Sequence, residues 1–157
     1  MFRKYIAIPA LIAAIYCALI FMFMPLSFGT VQVRVAEALT VLPYFTSSAI
    51  YGIFLGCFLA NLFGGAGILD LVLGSLASLL AAFLTSKIKN KWLAPLPPVV
   101  INMFVVAYVL HVYYSLDYWV GVVSVGLGQL ISCYGLGMLL LLQLEKHKDR
   151  LFGENIR

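Results

Sequence analysis

Residues 92–144 read WLAPLPPVVINMFVVAYVLHVYYSL-D-YWVGVVSVGLGQLISCYGLGMLLLLQL, two stretches without a formal charge divided only by Asp117. Each stretch exceeds the roughly 20 residues that a helix needs to cross about 30 Å of hydrocarbon. Lys91 closes one end, and Glu145 with Lys146 closes the other. The segment therefore reads as two membrane-spanning helices joined by a turn at Asp117.

The composition agrees. Of 157 residues, 64% are hydrophobic and 10% charged, against roughly 45–50% and about 25% in a soluble domain. Sixteen Lys, Arg, Asp and Glu side chains are too few to cover a water-facing surface of this size. The mean hydropathy of +1.06 points the same way. An all-α integral membrane protein, a single transmembrane domain over 1–157, is expected. The formal net charge of +4 is no nucleic-acid footprint, because the basic residues fall into three separate clusters rather than one aqueous face. Cys17, Cys57 and Cys133 are odd in number, far apart and set in apolar runs. They read as small buried hydrophobes, with no metal-ligand spacing.

Those three clusters set the topology. Arg3 and Lys4 open the chain, Lys87, Lys89 and Lys91 punctuate its middle, and Lys146, Lys148 and Arg150 begin its tail. Basic residues concentrate in cytoplasmic loops, so an even number of crossings should separate each cluster from the next. Residues 92–144 supply two. Between Lys4 and Lys87 the apolar runs are 5–24, 38–68 and 71–86, an odd count unless the middle run is broken. Pro43 offers the break, since proline removes a helical donor and clashes with the preceding turn. A short helix near 33–42, a turn at 43–48 and a helix near Ser48–Phe63 follow. At 1.5 Å per residue the short helix would cover only about 15 Å, so it needs a protein-shielded position. Six transmembrane helices result, one of them short, with both termini cytoplasmic. A secretory signal is the alternative for the first run. It has twenty residues where a signal core has roughly 7–15, and no A-x-A-like site follows. A retained helix is expected, and 145–157 reads as a solvated tail.

Lipid gives helices no hydrophobic drive to associate, so close packing needs small residues. Three series recur at four-residue spacing: Ala10, Ala14 and Ala18; Gly52, Gly56 and Ala60; Ser124, Gly128 and Ser132. Internal packing accounts for the second and third. The first suits either internal packing or a flat stripe for a partner.

Ionisable residues in or beside membrane segments mark function by default, because each costs about 2.5–3.5 kcal/mol at a helix centre on insertion scales. In the six-helix topology Arg34, Glu37, Asp70 and Asp117 share the outer side. His111 lies near the outer end of the fifth helix and Gln129 roughly three turns below the outer end of the sixth, and Asn61 precedes Gly64-Gly65-Ala66-Gly67. Three loops thus bring polar groups towards one mouth. Each residue also has a plainer role. Arg34 and Glu37 can neutralise one another at helical spacing, Asp70 can cap a helix, and Asp117 can be an exposed loop charge. His111 can join Tyr108 and Tyr114 in an interfacial aromatic belt. Asn102 lies nearer the inner side, roughly opposite His111 on its helix, and can bond between helices. An enzyme finds little support: HExxH, GxSxG and a lysine-bearing phosphate loop are all missing. A polar cup on a helical bundle suits capture of a small solute, and ATP-driven pumping would need partners.

Arg34-Val-Ala-Glu37-Ala-Leu39 with Pro43, Asn61-Leu-Phe-Gly64-Gly65-Ala-Gly67-Ile-Leu-Asp70, and Pro97-Pro98-Val-Val-Ile-Asn102 together resemble the QueT family of queuosine-precursor transporters over nearly the whole chain. That family belongs to the substrate-binding S components of energy-coupling factor (ECF) importers, multi-pass proteins of the bacterial cell membrane. The resemblance implies six helices, a pocket capped by outer loops, and no cofactor. It implies partners in an EcfT-type transmembrane coupling subunit and two cytoplasmic ATPases, with Ala10, Ala14 and Ala18 as the docking stripe. It also implies a 7-deazaguanine substrate such as preQ1 or queuine. Glu37 or Asp70 would accept the two N–H donors of its guanine-like edge, and Asn61, Asn102 or Gln129 would meet its carbonyl. Trp119 and tyrosines would stack on the ring, with Arg34 and His111 completing the mouth. The chain departs from the family's pattern at Gln129, where many relatives are expected to carry an acid. One pocket charge fewer weighs against the cationic preQ1 relative to queuine or a neutral precursor. An S component for another vitamin or nucleobase, a small membrane enzyme and an assembly subunit are the rival readings.

Overall fold

The computed structural model describes residues 2–27 and 33–147, and all regular structure among them is helical. Helix α1 spans Phe2–Met22, followed by a single turn at Met24–Ser27. A 3-10 helix, α2, covers Val35–Tyr44. Helix α3 runs Ser48–Phe63, α4 Asp70–Lys87, α5 Leu96–Tyr114 and α6 Tyr118–Lys146. Asp70–Lys87, Lys91–Tyr114 and Tyr118–Lys146 are long and apolar enough to cross a membrane; Ile6–Met22, Val35–Tyr44 and Ser48–Phe63 are apolar but shorter. Residues 28–32 and 148–157, with Lys148 and Arg150, lie outside the described residues.

Local chemistry sets the boundaries. Pro97 and Pro98 stand in the first turn of α5, where a missing N–H forfeits no helical bond. Ser115, in the left-handed region with φ of 52°, ends that helix. Asp117 then caps α6, its Oδ1 accepting from the N–H groups of Trp119 at 3.0 Å and Val120 at 3.1 Å, so the exposed loop charge also starts a helix. One expectation needs correction. The short helix does not stop before Pro43 but continues through it to Tyr44, and the turn shrinks to the residues before Ser48. A 3-10 helix loses one i→i+3 bond at a proline, while the ring's fixed φ suits its backbone. At about 2.0 Å rise per residue, its ten residues span about 20 Å.

That short helix occupies the shielded position its length demands. Ala36, Glu37, Ala38, Leu39, Thr40 and Val41 are all buried, enclosed by α1, α4 and α6. Gly137 draws α6 in: a Cβ there would stand 3.2 Å from a Val41 methyl and 3.4 Å from the Ala38 carbonyl. On the other side α1 lies against α3 at backbone distance. A Cβ on Gly52 would stand 2.8 Å from the Ile12 Cβ, and one on Gly56 2.7 Å from the Tyr16 Cβ. The Gly52, Gly56 and Ala60 series is therefore internal packing. Outward, Leu76, Leu80 and Phe83 of α4 and Val123, Leu127 and Ile131 of α6 are exposed, an apolar surface suited to lipid rather than water.

Candidate functional site

Glu37 sits at the centre of the bundle with 1% of its surface exposed. The Tyr16 hydroxyl of α1 donates to its Oε1 at 2.6 Å, and the Asn102 amide of α5 donates to its Oε2 at 3.3 Å. The same amide lies 3.5 Å from Gln129 Oε1 on α6, which also accepts from the Cys133 thiol at 3.4 Å. Thr40 donates to the Glu37 main-chain carbonyl at 2.6 Å. Helices α1 and α5 thus meet on the carboxylate of α2, with α6 joined through the Asn102 amide, and fixed donors replace the hydration the carboxylate loses on burial.

A second group lies beside a cavity. Asp70, at the opening of α4, is 8% exposed, and its Oδ1 stands 3.9 Å from Arg34 Nη2. That oxygen has no hydrogen-bond partner among the described residues. The Arg34 Nε donates to the Ser27 carbonyl at 3.3 Å. Asn61, closing α3, donates to the Asp70 main-chain carbonyl at 3.0 Å. The cavity, about 430 Å³, is lined by residues 64–67, Met24, Asp70, Tyr113 and Tyr114. Its glycine loop is held from α5. The Leu69 N–H donates to the Tyr113 hydroxyl at 3.0 Å, and a Cβ on Gly67 would overlap the Tyr113 ring. Gly65 adopts a φ of 71°, which favours glycine.

Both groups adjoin irregular backbone. The first turn of α4, Asp70–Gly74, is π-helical, and so is Leu130–Gly137 within α6, directly after Gln129. Such widened turns recur where a helix must aim side chains at a site.

The structure brings Arg34, Glu37, Asn61, Asp70, Asn102 and Gln129 into the protein interior as buried polar residues. His111 and Trp119 are not among them. His111 is exposed, its Nδ1 2.7 Å from the Leu116 carbonyl at the α5–α6 turn. Trp119 is 68% exposed and meets Tyr118 edge-on. Arg34, just before the short helix, faces Asp70, and Glu37 within it faces Tyr16, so the two point to different partners. Ala10, Ala14 and Ala18 are all exposed, whereas Ile12, Ala13, Tyr16 and Ile20 form the buried face of α1.

Sequence reasoning missed Tyr16, Thr40 and the hydrogen-bonding role of Cys133. It also did not assign Tyr113 to the cavity. A signal existed for Tyr16, which carries the only hydroxyl between residues 6 and 22, since a polar group inside a membrane helix seeks a partner. A family model described as QueT transporter matches residues 6–146, a span that contains both polar groups and the cavity. No curated protein and no solved structure matches the chain.

Proposed function

The chain belongs to the QueT transporter family, and from that premise we propose that it is the substrate-binding S component of an ECF importer, capturing a queuosine precursor of the 7-deazaguanine class outside and delivering it inward. The observation that carries this reading is the Asp70 carboxylate, which is 8% exposed, lines a cavity of about 430 Å³ and has its buried Oδ1 turned to Arg34 at 3.9 Å. A guanine-like edge presents two N–H donors side by side, which one carboxylate accepts together. Tyr113 and Tyr114 offer aromatic faces to a flat ring in the same cavity, and Asn61 supplies an amide next to Asp70. The Glu37, Asn102 and Gln129 group is the deeper polar surface. Both Glu37 oxygens already accept internal bonds, whereas Asp70 lines the cavity, so Asp70 is the carboxylate this reading assigns to the solute.

In this reading the six helical segments are six crossings, and the lysine clusters keep both ends cytoplasmic. The exposed Ala10, Ala14 and Ala18 face of α1 docks on the transmembrane coupling subunit, where small residues permit close backbone approach. Two cytoplasmic ATPases drive resetting. The test is thermal unfolding of the purified protein with preQ0, preQ1, queuine or guanine. A ligand at a hundred times its Kd adds about 2.7 kcal/mol to stability, so a deazaguanine should raise the melting temperature. A rise with an unrelated vitamin and none with any deazaguanine would move the protein to another substrate class.

A further inference from the structure

A second cavity, about 580 Å³, opens where α4 ends, lined by Tyr44, Ser86, Lys87, Ile88 and Lys89. It lies apart from the Asp70 cavity and shares no residue with it. Its two lysines are exposed and form no ion pair among the described residues. Lys91, close by in sequence, is already neutralised by Glu145 at 2.9 Å. The wall is tied in place, because the Tyr44 hydroxyl donates to the Lys89 carbonyl at 3.3 Å. The C-terminal end of a helix by itself repels anions. The positive charges of Lys87 and Lys89, both lining residues, reverse that sign.

An apolar track leads into it. Leu76, Leu80 and Phe83, each about half exposed, recur at four- and three-residue spacing and share one face of α4. Lys87, four residues further, continues that face, with its Nζ 5.2 Å from the Phe83 ring centroid. Alkyl-bearing surface along a membrane helix, ending in a basic cavity, matches a molecule with a hydrocarbon tail and an anionic head. We propose that the cavity binds the phosphate headgroup of an anionic phospholipid whose acyl chain lies along Leu76, Leu80 and Phe83. This site stands whatever solute the Asp70 cavity takes.

The test uses the full chain in nanodiscs of phosphatidylcholine alone, of phosphatidylcholine and phosphatidylglycerol in equal parts, and of phosphatidylcholine with inorganic phosphate in the buffer. The melting temperature is expected to rise in the mixed nanodiscs only. Lys87→Gln with Lys89→Gln should abolish the rise, Lys87→Arg with Lys89→Arg should keep it, and Lys146→Gln, which removes a charge outside the cavity, should also keep it. An equal rise in the Gln double variant would overturn the site. So would an equal rise with inorganic phosphate, which would mark a free-anion site, or loss of the rise in Lys146→Gln, which would mark a diffuse charge effect.

Discussion

Tyr16 donates its hydroxyl to Glu37 at 2.6 Å, a bond between two helices made where neither residue reaches solvent, at 0% and 1% exposure. It fastens the central 3-10 helix to α1 and supplies one of the donors that make a buried carboxylate tolerable. Removing the donor leaves that oxygen desolvated and without this partner.

Tyr16→Phe keeps the ring that packs on Gly56 and deletes only the hydroxyl. Hydrogen bonds to charged groups contribute about 1.5–3 kcal/mol, so the variant should melt at a clearly lower temperature. Thermal unfolding of both proteins in one detergent checks this. An unchanged melting temperature would mean the bond contributes nothing to stability.

Gly67→Ala places a methyl where the Tyr113 ring stands and should push the ring out of the cavity wall. Solute binding is expected to weaken about tenfold or more, equivalent to about 1.4 kcal/mol, while Tyr113→Phe, which loses only the bond to Leu69, should weaken it less. Titration calorimetry on the two variants measures the difference.

The all-helical class and several helix boundaries were legible because charge and hydropathy report them directly. Uncharged runs bounded by charged residues gave α4, α5 and α6, and Ser48–Phe63 emerged with the bounds the structure has. Helix faces were less legible. His111 and Trp119 share an end of the bundle with the cavity, but the rotation of each helix, fixed only by packing, leaves them exposed. The passage of α2 through Pro43 and the π-helical turns at Asp70–Gly74 and Leu130–Gly137 depend on tertiary contacts, such as Gly137 against Ala38. Spacing alone could not say which small-residue series is internal. The close approach of Gly52 and Gly56 to α1 separates theirs from Ala10, Ala14 and Ala18.

Neighbouring alanines of α1 should behave oppositely. Ala13 is 4% exposed, so Ala13→Leu overpacks the α1–α3 contact and should cost about 1–3 kcal/mol. Ala14 is exposed; Ala14→Leu should leave stability and solute binding intact while stopping uptake by cells that carry the coupling subunit. Uptake at the normal rate in Ala14→Leu would remove the docking role.

The Lys91–Glu145 pair at 2.9 Å is about one-third exposed at both side chains, and such pairs contribute about 0–1 kcal/mol. Lys91→Gln should therefore shift the melting temperature little, far less than Tyr16→Phe measured in parallel.

Direct titration of the purified protein with 7-deazaguanines, beside Asp70→Asn, probes the cavity's role most closely. The wild type should bind at least one of preQ0, preQ1 and queuine, and Asp70→Asn, which cannot accept two N–H donors on one carboxylate, should bind it at least about tenfold more weakly. Equal affinity in the two proteins, or no binding of any deazaguanine to the wild type, would contradict it.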